Sequence, residues 1–281
     1  MKKLPTGKSS PATSLKWSGW TDRGKVRKNN EDSFLGLRFD AREAHRLGKA
    51  GAASTAEYNF TFAVCDGMGG ALAGEYASQI AVEKITRLLP RAFQPASADL
   101  QEGFEYPLQE LYREVHRALA YLGACYDECA GMQTTMSLCW FTAGRMYFGH
   151  VGDSRIYHLP HGQTEIKQLT ADDTHVGWLL RQGKISEREA RTHPRRNVLQ
   201  KALGGENQFV DPQTGSTTCE RGDTFLICSD GLTEGLHDHY LVDILQAAAA
   251  NEKINPAELL VNESLKNDGR DNTTAMIIQM V

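Results

Sequence analysis

Apolar residues fall along this chain in two rhythms. Continuous or alternating apolar runs at Ser33–Arg38, Asn59–Cys65, Thr134–Phe141, Arg145–Val151, Ser154–Leu159, Asp223–Cys228 and Thr273–Met280 stop at polar or glycine-containing turns, as sheet strands do. Elsewhere apolar residues recur every three or four positions. Ala77, Ile80, Ala81, Ile85 and Leu88 form one such series, and Leu108, Leu111, Tyr112, Val115, Leu119 and Leu122 a second, so each segment predicts a helix with one apolar face. After Thr170 the helical rhythm returns with Trp178, Leu179 and Ile185, and Ser186-x-x-Glu189 is a capping box that opens a short helix. Leu241, Ile244 and Leu245 predict another, and Pro256 to Leu265 behind an Asn255 cap a last one. The three runs between Thr134 and Leu159 leave no room for helices, so they are expected to pair antiparallel through tight turns such as Thr142-Ala143-Gly144. Ala41–Glu57 is polar and rich in small residues and predicts a long surface loop, and Arg191–Gly205 an irregular surface segment. Strands packed face to face with helices outside, an α+β arrangement, is the expected outcome.

Composition narrows the class. The 281 residues are 41% hydrophobic and 23% charged, ordinary for a folded chain and enough for one large core. Lys and Arg number 31 against 35 Asp and Glu, a formal charge of −4, which argues against a broad nucleic-acid footprint. No run of about 18 apolar residues occurs, so no membrane span is expected. The first 16 residues start basic but carry Pro5, Gly7 and Pro11 where a signal peptide needs an apolar stretch, and are expected to be a flexible tail before a single domain, 17–281. The six cysteines form no Cys-x-x-Cys pair and lie mostly in apolar runs, as reduced buried thiols do, which predicts a cytoplasmic protein.

Chemistry concentrates at strand ends. Cys65-Asp66-Gly67, Ser229-Asp230-Gly231 and Arg270-Asp271-Asn272 each put an aspartate at the tip of an apolar strand, and Gly152-Asp153-Ser154 joins two strands. One Asp-Gly alone is a common turn. Four aspartates together with the Asn29-Asn30-Glu31-Asp32 cluster are harder to explain that way. Carboxylates gathered at the end of a β core repel and resist desolvation unless a cation neutralises them, and oxygen-only ligands select hard ions such as Mg²⁺ or Mn²⁺.

The order Val26-Arg27-x-x-Asn30-Glu31-Asp32, Asp66-Gly67-Met68-Gly69-Gly70, Gly131-x-x-Thr134-Thr135, Val151-Gly152-Asp153-Ser154-Arg155, Ser229-Asp230-Gly231-Leu232 and Asp271-Asn272-x-Thr274 resembles the bacterial-type metal-dependent Ser/Thr protein phosphatases of the PPM or PP2C class. The likeness runs from about Trp20 to Val281. It implies a four-layer αββα sandwich, two antiparallel sheets flanked by helices, with a dinuclear metal centre at one end. It also implies hydrolysis of phosphoserine and phosphothreonine by a metal-bridging water or hydroxide between ions about 3.5–4 Å apart. By the same resemblance Asp66 and the Gly67 carbonyl, with Asp230 and Asp271, hold two Mn²⁺ or Mg²⁺ ions. Asp153 holds a weaker third ion, Glu31, Asp32 and Asn272 act from behind the ligands, and Arg27 grips the phosphate with its planar fork. The implied partners are phosphorylated proteins and a Ser/Thr kinase pathway, for a monomer that meets neither nucleic acid nor membrane.

Three positions depart from the pattern. The second ligand of the third ion is commonly Asp, and here it is Glu234. Several relatives have His where this chain has Met68, whose thioether cannot donate a proton. Asp172-Asp173 stands where Asp-His is frequent, at the start of a segment, 174–205, that serves the family as a flap beside the active site. Other readings are weaker. Cys139-x5-Arg145 imitates the nucleophile loop of cysteine phosphatases, but Arg145 opens a strand instead of a phosphate-binding loop. Gly69-x4-Gly74 is half a P-loop whose next residues, Glu75 and Tyr76, would repel phosphates or fail to bind them. His237-Asp238-His239 could suggest a transition-metal site but is expected to be a solvated helix start, and His193-Pro194-Arg195-Arg196 is expected to be a solvated basic surface of the flap, with attraction of phosphorylated protein as its functional alternative. Two other functional classes stay open: a catalytically weak scaffold that binds phosphoprotein, and a metal-dependent enzyme acting on small phosphate esters or nucleotides.

Overall fold

The computed structural model describes residues 14–40, 42–69, 73–96, 103–206, 209–249 and 254–281. Positions 1–13 of the expected tail and Gly70 of the Asp-Gly-x-Gly-Gly turn lie outside the described residues. In chain order the elements are β1 (Ser14–Asp22), β2 (Asp32–Phe39), β3 (Ala44–Arg46), β4 (Ala50–Ser54), β5 (Asn59–Met68), α1 (Ala73–Ala96) and α2 (Glu105–Cys125). Next come β6 (Gln133–Thr134), β7 (Met136–Thr142), β8 (Arg145–Val151), β9 (Arg155–Leu159), β10 (Lys167–Gln168), α3 (His175–Arg181) and α4 (Glu187–Thr192). The last are β11 (Leu203–Gly204), β12 (Gln213–Thr218), β13 (Thr224–Cys228), α5 (Asp230–Gly235), α6 (Asp238–Ala249), α7 (Pro256–Asn267) and β14 (Thr273–Met280).

Two antiparallel sheets stack face to face. One has six strands in the order β10-β9-β13-β14-β1-β4, and the other eight, β11-β6-β5-β7-β8-β12 with β2 on β5 and β3 on β2. Strand alternation builds three apolar layers. Phe60, Phe62 and Val64 of β5 meet Phe225 and Ile227 of β13 and Met276 and Ile278 of β14 between the sheets. Ala63 and Cys65 point the other way, onto Ala77, Ala81 and Ile85 of α1 and Leu111 and Val115 of α2. Leu226, Cys228 and Ile277 face Leu232, Leu241, Leu245 and Leu260 of α5, α6 and α7. Central strands are therefore buried on both faces, which is why their sequences read as unbroken apolar runs. The expected four layers, helix, sheet, sheet, helix, are present, and among the described residues no helix is long and apolar enough to cross a membrane.

Several local expectations are corrected. The segment Ala41–Glu57 carries β3 and β4, which pair with β2 and β1, and Gly51 lies directly under the Trp17 indole. β1 starts at Ser14, three residues inside the expected tail, because Leu15 is fully buried and pairs with Met280. The run from Thr134 breaks at Thr135, whose backbone amide turns to the Asp66 carbonyl at 2.8 Å. β8 and β9 do not pair: Gly152-Asp153-Ser154 carries the chain from one sheet to the other, and β9 joins β13. Cys65, Cys139, Cys219 and Cys228 are buried and free, whereas Cys125, the last residue of α2, is exposed and Cys129, in the short 3-10 turn Asp127–Cys129 that follows, is half-buried. The capping box at Ser186 and Glu189 and the Asn255 cap of α7 form as expected.

Candidate metal centre

The site grows from four strand ends at one rim of the sandwich. Asp32 opens β2 and stands directly across from Asp66 near the end of β5, an opposition of like charges within one sheet. From the other sheet, β13 runs into Ser229 and Asp230 at the first turn of α5, and Asp271 and Asn272 precede β14. Asp153 lies where the chain passes between the sheets.

The glycines of the two strand-end Asp-Gly pairs have a different cause from the one a turn would suggest. Neither Gly67 nor Gly231 takes a positive φ. A Cβ on Gly67 would stand 1.9 Å from the Gly74 carbonyl oxygen, and one on Gly231 2.1 Å from the Asn272 carbonyl oxygen. Each glycine lets another backbone pass against the strand end that carries the aspartate. Gly152, by contrast, has φ 115° and is a conformational glycine.

Hydroxyls and amides fix the carboxylates. Ser229 Oγ and Thr274 Oγ1 donate to Asp32 Oδ2 at 2.7 and 2.6 Å, and the Thr274 amide donates to Ser229 Oγ at 3.0 Å. The Asp66 amide donates to Thr135 Oγ1 at 3.0 Å, and that oxygen lies 2.7 Å from Ser154 Oγ beside Asp153. Asn272 ties down the loop before β2: its Nδ2 donates to the Arg23 and Asn29 carbonyls at 2.8 and 2.9 Å, and its Oδ1 accepts the Glu31 amide at 2.8 Å. The Gly152 turn is gripped from both sides. The Asp173 amide and His150 Nε2 donate to its carbonyl at 2.7 and 3.0 Å, and its own amide donates to Asp173 Oδ2 at 3.2 Å. Desolvation holds His150 below its ordinary pKa, and with Nε2 turned to the Gly152 carbonyl its Nδ1 meets Ser137 Oγ at 2.8 Å.

Eight of the ten predicted residues, Arg27, Glu31, Asp66, Gly67, Asp153, Asp230, Asp271 and Asn272, line one cavity of about 570 Å³. Asp32 sits behind it, 7% exposed. Glu234 lines a neighbouring cavity of about 490 Å³, which shares Asp153, Asn197 and Asp230 with the first. Arg27 meets two of the other predicted residues: its Nη2 donates to Asp271 Oδ2 at 2.6 Å, and its Nη1 lies 4.0 Å from Glu31 Oε2. Met68 lines the main cavity with them.

Electrostatics mark the cluster as under-neutralised. Desolvation, with repulsion from Asp32, Asp230, Asp153 and Asp271, pushes Asp66 well above the carboxylate range. Desolvation and the neighbouring carboxylates, Asp153 foremost, do the same to Asp230. Asp153 is pushed up to about 7 by desolvation and Asp172, against the pull of Arg155. Asp32 rises to about 6 through desolvation despite its two hydroxyl donors. Asp32 Oδ1 and Asp230 Oδ1 are buried and lack a hydrogen-bond partner. Among the described residues no three His, Cys, Asp or Glu side chains form an arrangement that would hold a metal ion by themselves. The donor chemistry nevertheless fits hard cations: all-oxygen groups, mutually repelling, with two buried carboxylate oxygens unsatisfied.

The protein phosphatase 2C profile matches residues 49–266. This chain belongs to the protein phosphatase 2C family. The serine/threonine protein phosphatase PstP of Mycobacterium tuberculosis is 32% identical over 270 residues, covering 95% of this chain and 45% of PstP. The serine/threonine phosphatase stp of Listeria innocua is 33% identical over 261 residues, 92% of this chain and 93% of its own length. The chain therefore spans less than half of the mycobacterial PstP and nearly all of the Listeria protein. A crystal structure of the PstP catalytic domain in complex with two manganese ions superposes with TM-score 0.73 at 30% identity, over 96% of this chain and 100% of that one. The four-layer sandwich is thus the protein phosphatase 2C fold.

Sequence reasoning gave no role to Ser229, Thr274, Thr135, Ser154 or His150. The first four stood within or beside the motifs and signalled only through that position, since a neutral hydroxyl leaves no trace in charge or hydropathy. The imitation cysteine-phosphatase loop is ruled out: Cys139 is fully buried and desolvation pushes its thiol well above the ordinary value.

Proposed function

We propose that this chain is a metal-dependent protein Ser/Thr phosphatase whose centre uses Mn²⁺ or Mg²⁺. The observation that carries the reading is the convergence of Asp66, Asp230 and Asp271 with Arg27 in one cavity, with the Asp66 and Asp230 carboxyls raised by desolvation and by neighbouring carboxylates, and the buried Asp32 and Asp230 Oδ1 oxygens unsatisfied. Asp66, the Gly67 carbonyl, Asp230 and Asp271 would hold two ions, and Asp153 a weaker third. When bound, the ions supply charge to hold phosphoryl oxygens and to acidify water at neutral pH.

The chain's own residues do the rest. Arg27 presents its fork at the cavity mouth, half-exposed and oriented by Asp271, so its remaining N–H groups can bind phosphate oxygens bidentately. Glu31 stands behind Arg27, with its carboxyl raised by desolvation, and receives a backbone anchor from Asn272. Ser229 and Thr274 hold Asp32 with one oxygen engaged, leaving the other buried without a partner. Met68 offers no proton, so the leaving oxygen takes one from water.

The substrate class is phosphorylated protein, for a cytoplasmic, monomeric enzyme that reverses Ser/Thr kinase signalling. Support comes from the family and from the open cavity, flanked by the segment 174–205, which suits a chain segment better than an enclosed small molecule. Competition decides between classes. A phosphothreonine peptide should outcompete nucleotides and small phosphate esters in kcat/KM, and a preference for nucleotides would overturn the protein-substrate reading.

A further inference from the structure

The second turn of α5 meets the flap, while Glu234 also stands near enough to Asp153 and Asp230 for its charge to raise both carboxyls. Glu234 lies one helical turn beyond Asp230, with its side chain 17% exposed. Its Oε1 accepts Asn197 Nδ2 at 3.2 Å and lies 3.4 Å from Arg196 Nη2. Next to it, the Thr233 carbonyl accepts Arg191 Nη1 at 3.4 Å. The opposite end of the same flap strip is pinned by backbone: Thr174 and Leu199 form an isolated bridge, the His175 amide reaches the Val198 carbonyl at 3.2 Å, and the Gln200 amide reaches the Asp173 carbonyl at 2.7 Å. Between these anchors, Asn197 borders both cavities.

From this geometry we infer that Glu234 is a positioning residue that latches the flap strip 191–199 onto α5, and that it is not the second ligand of a third ion. The inference rests on the phosphatase reading for its functional consequence alone. An aspartate here, shorter by one methylene, would fall short of Asn197 and Arg196. The glutamate reaches them, and an acceptor oxygen set between the Asn197 amide and the Arg196 guanidinium is its gain. Since the latch starts on the helix whose first residue is Asp230, the flap wall of the substrate cavity is set relative to the metal centre by one rigid turn. Loosening the latch should therefore weaken peptide binding more than turnover.

Hydrogen exchange on the full chain tests this without relying on activity. In Glu234→Ala and Glu234→Asp, amides across 193–199 should exchange at least threefold faster than in wild type. Glu234→Gln keeps an acceptor oxygen and should protect the strip nearly as wild type does. KM for a phosphothreonine peptide should rise three- to tenfold in the alanine and aspartate variants with kcat changed less than twofold, and glutamine should restore it. A Mn²⁺ titration should give the same number of sites in wild type, Glu234→Ala and Glu234→Gln. Unchanged exchange in Glu234→Ala would overturn the latch. So would loss of one Mn²⁺ site in Glu234→Gln. Exchange is read whether or not the protein hydrolyses phosphate, so failure of the latch and failure of the phosphatase reading are separate results.

Discussion

Asn272 is the residue through which a single substitution should damage the site without touching a carboxylate. It is 3% exposed and makes three hydrogen bonds, at 2.8, 2.9 and 2.8 Å, to the backbone of Arg23, Asn29 and Glu31. Asn272→Ala removes all three and leaves two carbonyls and an amide partly buried; at about 1 kcal/mol each, the loss is about 3 kcal/mol. The loop it holds carries Arg27 and Glu31, and a shift of about 1 Å in such a group lowers rate by about 10²-fold. Asn272→Asp sharpens the test, because size is kept and Glu31 can still donate. The two carbonyls then face a carboxylate oxygen instead of an amide donor, so the aspartate variant should be at least as impaired as alanine. Thermal unfolding with Mn²⁺ present gives the stability change, and phosphopeptide kinetics give kcat/KM. An aspartate variant as stable and as active as wild type would refute the clamp.

Three further outcomes follow from the geometry. Gly67→Ala or Gly231→Ala should abolish the folded site, since the new Cβ meets backbone oxygen at 1.9 or 2.1 Å, whereas Gly162→Ala has open space and only its φ of 74° to strain, roughly 1–2 kcal/mol by thermal unfolding. Ser229→Ala combined with Thr274→Val strips both donors from Asp32 and should weaken Mn²⁺ binding by about 10–100-fold, as read by titration calorimetry; unchanged affinity would remove Asp32 from the metal's surroundings. Away from the centre, desolvation works against ionisation of Asp223, yet His158 and the Glu220 and His161 amides outweigh it and hold the carboxyl below the ordinary range. A lowered folded pKa means this contribution is in place above about pH 4 and is lost as pH falls through the folded value. Asp223→Asn should therefore destabilise by roughly 1–3 kcal/mol at pH 7, with the gap closing in acid, and a gap independent of pH would contradict the pairing.

How much was legible follows from what each residue signals. β5 announced itself because both of its faces are buried, and α1 because its small and aliphatic residues recur every three or four positions. β3 and β4 did not: they are short, largely exposed and built from Ala, Gly, Ser, His and Arg, so they carry no alternation, and pairing with β1 and β2 alone makes them strands. The Gly152-Asp153-Ser154 link read as a hairpin turn because sequence gives no sign of which sheet the next strand joins; the grip of Asp173 and His150 on Gly152 decides it in three dimensions. Asp66, Asp230 and Asp271 were visible as charges at the tips of apolar runs. Their hydroxyl supports were not, and neither was the Arg27–Asp271 contact, which spans 244 residues. Glu234 was legible as a departure from the family pattern, but its contact with Asn197 depends on how the flap folds back over α5.

Phosphate release from a phosphothreonine peptide by wild type and Asp230→Ala, each with Mn²⁺ and with EDTA, tests whether the rim of strand ends is a metal-dependent phosphatase centre. Wild type should turn over only with the metal, and a folded Asp230→Ala should fall by at least about 10²-fold. Turnover that survives EDTA, or a folded Asp230→Ala as active as wild type, would contradict it.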